Sequence, residues 1–170
     1  PTRLLDITTN PLVALFFACK SKSADGELLV FSEESSKIKL FDSDTVSVLT
    51  NLVKLPWHFS INCATDTIVS SNFDELTHKK SFFVKPKLDN PRIIKQSGAF
   101  IVCGMDDIKY KPSKEIFDIE KNKVIKRIII SKHLKDRLNK SLDVFSISSG
   151  TLFPELSDVA SYVKNKYGVR

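Results

Sequence analysis

Cysteine is scarce in this chain and poorly placed for cross-linking: Cys19, Cys63 and Cys103 are odd in number, far apart and without a C-x-x-C spacing. That argues against a disulfide framework or a zinc site and for a reducing compartment, so a cytoplasmic setting is expected. His58, His78 and His133 stand near no second ligand pair at metal spacing, and no metal is expected. Long apolar runs are missing too. The longest near the start, Leu12 to Cys19, gives way to Lys20 and Lys22 and falls short of the ~20 residues a membrane helix needs, so no membrane partner is expected. No basic segment precedes an apolar one at the start, as a signal peptide would require. The nucleophile elbow G-x-S-x-G, the Walker loop, the dinucleotide fingerprint, H-E-x-x-H and a paired Cys-His arrangement are all absent from the sequence.

What is present describes a folded domain. The chain has 170 residues, 42% hydrophobic and 27% charged, enough for one domain with its own core. Twelve Phe against one Trp and three Tyr assign much of that core to aromatic packing. The net charge is +6, and the excess is concentrated: between Lys109 and Lys140 eleven Lys and Arg face four acidic residues. Such a stretch can draw a nucleic acid or another polyanion. Without interleaved exposed aromatics or a binding-fold signature, a solvated face is the simpler account.

Along the chain, Leu4 and Leu5 before Asp6 predict a short strand, and Thr9 or Asn10 caps a helix that opens at Pro11 and runs to about Lys20. Leu12, Leu15, Phe16 and Cys19 share one face of that helix, and Ala14 and Ala18 would let it approach a sheet closely. Asp25-Gly26 is a turn before a buried strand Leu28–Phe31, and Asp42-Ser43-Asp44 opens a second helix to about Val53, stopped by Pro56. Residues 57–80 read as irregular, with one short helical turn near Phe73–Leu76. Further strands are expected at Phe82–Val84, Ala99–Cys103 and Val124–Ile130, the first helix packing on a sheet that includes both Leu28–Phe31 and Ala99–Cys103. Helical segments follow from Asn90-Pro91 to Gln96, from a Ser131 cap to about Leu142 and from Pro154 to Tyr167, with Val144–Ile147 extended. One α+β domain over residues 1–170, a mixed sheet flanked by helices, is the expected architecture.

Two clusters could carry chemistry. In the first, Arg3, Asp6, Thr8, Thr9 and Asn10 surround a strand-to-helix junction, where free N–H groups and the helix dipole favour an anion and Arg3 adds a donor fork suited to phosphate. The plainer alternative is that Arg3 pairs with Asp6 while Thr9 or Asn10 only caps the helix. In the second, Arg92 and Gln96 are four apart and share a helical face ahead of an apolar strand; the alternative there is an exposed turn. Cys19, inside an apolar helix, reads as a small core residue.

The run Pro1-Thr2-Arg3-Leu4-Leu5-Asp6-Ile7-Thr8-Thr9-Asn10-Pro11-Leu12-Val13-Ala14-Leu15-Phe16-Phe17-Ala18 resembles the signature segment of FRG-domain proteins, P-T-R-L-L-D-W-T-x-N-P-L-V-A-L-[FY]-F-A, with Ile7 in place of the usual Trp. Arg92 to Phe100 resembles the family's later R-I-x-x-Q-x-G-x-F, and Leu152 to Ala160 its closing L-F-P-[DE]-L-x-x-x-A. The namesake Phe-Arg-Gly and a His-Tyr-Gly would precede Pro1, so the chain looks like the C-terminal two-thirds of such a domain, to be completed by an N-terminal fragment or partner chain. The resemblance implies a bacterial protein that binds a nucleotide or other phosphate-bearing ligand. Its layout is similar to that of ADP-ribosyltransferases, with NAD the cofactor this suggests and a role in toxin or phage-defence systems. Arg3 would hold the anionic group, Thr8 or Thr9 orient it, Asp6 fix Arg3, and Arg92 with Gln96 close the other side. The alternative is a non-enzymatic module that binds nucleic acid or protein.

Overall fold

A computed structural model describes residues 3–52, 79–104 and 123–168. In chain order these form β1 (Leu4–Thr8), α1 (Pro11–Cys19), β2 (Gly26–Phe31), a 3₁₀ turn, β3 (Lys39–Leu40), α2 (Asp44–Leu52), β4 (Phe82–Lys85), α3 (Pro91–Lys95), β5 (Gly98–Val102), β6 (Val124–Ile130), a second 3₁₀ turn, α4 (Lys135–Val144), α5 (Ser149–Leu152) and α6 (Leu156–Tyr167). The class is α+β, as the sequence predicts. The expected features in residues 53–78, including the stop at Pro56 and the turn near Phe73–Leu76, lie outside the described residues, as does the basic run from Lys109 to Lys121.

One sheet has the strand order β1-β5-β4-β3, and β2 and β6 form a separate two-stranded sheet. β4 pairs antiparallel with β5, placing Phe82 opposite Val102 and Val84 opposite Phe100, while the short β3 runs parallel to β4. The expectation that Leu28–Phe31 and Ala99–Cys103 share a sheet is therefore corrected. β5 has β1 on one side and β4 on the other, so both of its edges are taken and β2 pairs elsewhere.

The chain divides into two compact units. The first comprises Pro1–Asp6, Phe31–Pro86 and Ala99–Ile125. Its core is Val46 and Leu49 of α2 against Val84 and Val102 of β4 and β5, with Val48 and Phe82 packed on it. α2 begins at Asp44, and the Ser47 N–H bonds the Ser43 carbonyl at 2.9 Å. The second unit comprises Ile7–Val30, Lys87–Gly98 and Lys126–Arg170, with a core of Val13, Leu152 and Phe153 lined by Phe16 and Ile147.

α1 forms for the reason the sequence suggests. The Asn10 Oδ1 accepts the Leu12 N–H at 2.9 Å and Pro11 occupies the first turn, so an orphan donor is satisfied and the missing proline N–H costs nothing. Its buried face differs from the expected one: Val13 and Cys19 are buried, whereas Leu12 is 37% exposed. Close approach to a strand does occur at Ala18, because a Cβ built on Gly26 would lie 2.2 Å from the Ala18 carbonyl oxygen. Only glycine leaves room there.

The C-terminal helices depart further from expectation. Ser131 makes no side-chain cap; a 3₁₀ turn over Lys132–Leu134 comes first, and the Asp25 carboxylate accepts the Lys132 N–H at 2.8 Å. Residues 145–147 are a turn rather than a strand, since Ser146 has φ 59° and the Ile147 N–H returns to the Leu142 carbonyl at 2.9 Å. The short α5 was not foreseen. It is opened by a reciprocal cap between Ser148 and Thr151, and the last helix starts at Leu156, two residues after Pro154.

Candidate functional site

Arg3 and Asp6 lie in the first unit, and Thr8, Thr9, Asn10, Arg92 and Gln96 in the second. In the first unit the Arg3 guanidinium donates to the Gly104 carbonyl at 3.0 Å, and the Arg3 carbonyl accepts the Cys103 N–H at 2.8 Å. Burial lowers the Arg3 pKa, opposed by the neighbouring Cys103 thiol; burial in turn raises that thiol, opposed by Arg3. Asp6 is exposed.

In the second unit three stretches far apart in sequence meet. The Thr8 hydroxyl donates to the Gln96 carbonyl at 2.7 Å and accepts the Asn10 N–H at 3.0 Å. The Thr9 N–H and hydroxyl both reach the Ser97 carbonyl, at 3.0 and 3.3 Å. Those bonds hold Ser97 at φ 47°, a left-handed conformation that a residue with a Cβ seldom adopts. α3 is built like α1, with Asn90 accepting the Arg92 N–H at 2.9 Å ahead of Pro91. From its end the Gln96 side-chain amide donates to the Leu152 carbonyl at 3.1 Å. Arg92, one turn earlier, lies over the Phe153 ring at 4.9 Å and 3.8 Å from Glu155.

Phe153 is the centre of this arrangement. Its buried ring packs on Phe16 and Phe17 of α1, at 6.4 and 6.1 Å between centroids, and Lys20 reaches it at 5.4 Å. Two cations from different parts of the chain thus converge on one aromatic ring, an arrangement favoured by the ring's quadrupole. Residues 1–18, 92–100 and 152–160, the three stretches that resemble FRG-domain segments, supply most of the groups named in this paragraph and the last.

Residues 1–27 match the family model of the FRG domain. The matched stretch holds Arg3, Asp6, Thr8, Thr9 and Asn10 together with all of α1. No curated protein and no solved structure matches the chain. Arg92 to Phe100 and Leu152 to Ala160 lie outside the matched residues, yet the matched stretch packs on both through Thr8, Phe16, Phe17 and Lys20.

One residue of consequence was hidden inside the basic stretch. Lys135 is 1% exposed, and its ammonium donates to the carbonyls of Ser21 and Ala24, both at 2.8 Å. It pins the turn that follows α1, beside the buried Cys19, whose thiol is raised by burial and only partly restored by that ammonium. The solvated-face account thus fails at this position. Elsewhere the face stays in contact with solvent: Arg127 is exposed and Lys123 half-buried, paired with Glu27 and Glu33 at 2.6 and 2.9 Å. The signal for Lys135 is faint: it directly follows the turn Lys132–Leu134 that leads into α4, on the side of the helix that also carries buried Leu142.

Proposed function

We propose that this FRG-type chain binds a phosphate-bearing ligand, with a nucleotide as the leading case, through the cationic face that Lys20 and Arg92 make over Phe153. The observation that carries this reading is the convergence of those two side chains on one ring, at 5.4 and 4.9 Å, with Glu155 as a carboxylate 3.8 Å from Arg92. The ring is buried, so it offers no stacking surface for a base; the cations are the groups left to meet a ligand. A guanidinium over an aromatic ring still has N–H donors to offer phosphate oxygens. Thr8, Thr9, Asn10 and Gln96 act as the frame that sets the position of α3 and of the Leu152–Glu155 segment. With NAD as the nucleotide, the chain would be the binding part of an ADP-ribosyltransferase-like effector in a bacterial toxin or phage-defence system.

A second reading draws support from a different observation. The Thr8 hydroxyl and the Gln96 amide are both engaged in internal hydrogen bonds, at 2.7 and 3.1 Å, which suits a non-enzymatic binding module better than a catalytic centre. Calorimetric titration with NAD, ATP and pyrophosphate separates the possibilities. The phosphate reading expects binding that Arg92→Ala weakens by roughly tenfold to a hundredfold, the loss of about one charge-assisted hydrogen bond. Turnover of NAD would support the transferase form. Binding of phosphate ligands without turnover supports the module, and no binding by any of the three overturns the proposal.

A further inference from the structure

α4 has two sharply different sides. Lys135, Leu138 and Leu142 face inward, while Arg137, Lys140, Ser141 and Val144 follow one another at helical spacing on the outward side. At its two ends that side carries apolar groups in water: Leu134 is 51% exposed, Val144 82% and Phe145 67%. The turn at Ser146, with φ 59°, ends the helix and leaves Val144 and Phe145 projecting. The acidic neighbours are already committed. Asp136 is paired with Lys22 at 2.7 Å, and Asp143 with Lys166 at 2.6 Å, whereas Arg137 and Lys140 have no ion pair among the described residues.

We propose that this outward side of α4 is a peripheral contact for an anionic lipid surface, with Val144 and Phe145 entering the headgroup layer and Arg137 and Lys140 meeting lipid phosphates. Such contact needs no spanning segment, so it is independent of the lack of a long apolar run. Physical arguments select this occupant. A second copy of the same face would set Arg137 and Lys140 against themselves. A nucleic acid would reward the cations and leave Leu134 and Val144 in water. A purely apolar protein groove would bury the cations without partners, at a cost that exceeds the gain. An acidic protein could answer both features, but one side of a ten-residue helix is small against the roughly 1,000 Å² that a stable protein interface needs. An anionic bilayer rewards apolar insertion and cations together, with no such threshold.

The test is sedimentation of the full chain with vesicles of phosphatidylcholine alone and of phosphatidylcholine mixed with phosphatidylglycerol, at low and high salt. Binding is expected only to the anionic vesicles and should fall as salt rises. Arg137→Gln with Lys140→Gln should reduce partitioning by about 25-fold, each cation near the surface adding roughly a factor of five. Val144→Ser with Phe145→Ser should also abolish sedimentation, and because both side chains are exposed the melting temperature should stay put. Failure to sediment with anionic vesicles overturns the proposal. So does binding that survives the Val144/Phe145 change, or capture by an acidic protein column in place of vesicles.

Discussion

The Gln96 side-chain amide and the Leu152 main-chain carbonyl, 56 residues apart, are joined by a hydrogen bond of 3.1 Å. Through it the end of α3 is tied to the end of α5, while the Gln96 carbonyl receives the Thr8 hydroxyl from the other side. Replacing Gln96 by Leu keeps the bulk and removes the donor. The Leu152 carbonyl is then left without that partner, at a cost of about 1–3 kcal/mol. Denaturant unfolding should show this loss. If Gln96 served mainly to contact a ligand, stability would hold and only nucleotide affinity would fall.

Lys135 should behave unlike its basic neighbours. Its ammonium is buried and serves two carbonyls, so Lys135→Met strips both Ser21 and Ala24 of a charged donor and should destabilise the chain by about 2–5 kcal/mol. Arginine should rescue little, because a longer planar fork does not fit a space where a Cβ on Gly26 would lie 3.2 Å from the lysine nitrogen. Lys140→Gln, on the exposed side of the same helix, should stay within about 0.5 kcal/mol of the parent. Equal melting temperatures for the Lys135 and Lys140 variants would refute the structural role of the buried ammonium.

Acid should loosen the C-terminal helix. Lys166 and then Tyr162 donate to the Asp143 carboxylate, at 2.6 and 2.5 Å, and hold its pKa below the ordinary value against desolvation. A depressed carboxylate contributes stability that is present above its unfolded value of about 3.9 and is lost as pH falls through the folded value. The same contacts raise Lys166, Asp143 contributing first and Tyr162 second; that contribution is complete below the unfolded lysine value of about 10.4 and fades as pH rises beyond it. Thermal unfolding across pH should therefore fall off on the acid side, and Asp143→Asn should flatten that limb. An acid limb unchanged in the variant would assign it to other carboxylates.

Short-range chemistry was the legible part. Asn10-Pro11 and Asn90-Pro91 announce helices because capping and the proline constraint act within three residues, and both helices are found where those pairs place them. Likewise β4, β5 and β6 follow from compact apolar runs. The two-residue β3 was not legible, since a parallel pair of that length depends wholly on the strand it joins. The same applies to the turn after α4. Val144-Phe145-Ser146-Ile147 has a strand's composition, but the return bond from Ile147 to Leu142 and the left-handed Ser146 bend it into a cap.

For the candidate site the division is similar. Sequence alone determined which residue types stand at the strand-to-helix junction and which face Arg92 and Gln96 share. Tertiary structure decided their partners: Thr8 on the Gln96 carbonyl, Gln96 on Leu152, Arg92 and Lys20 on Phe153. It also decided that Lys135, one charge in a basic run, is buried while Val144 and Phe145, two apolar residues, are exposed. The physical reason is that capping and backbone preference are set by neighbours in sequence. Burial and the partners of Gln96 and Lys135 depend on groups 56 and 114 residues away, brought close only when the strands and helices pack.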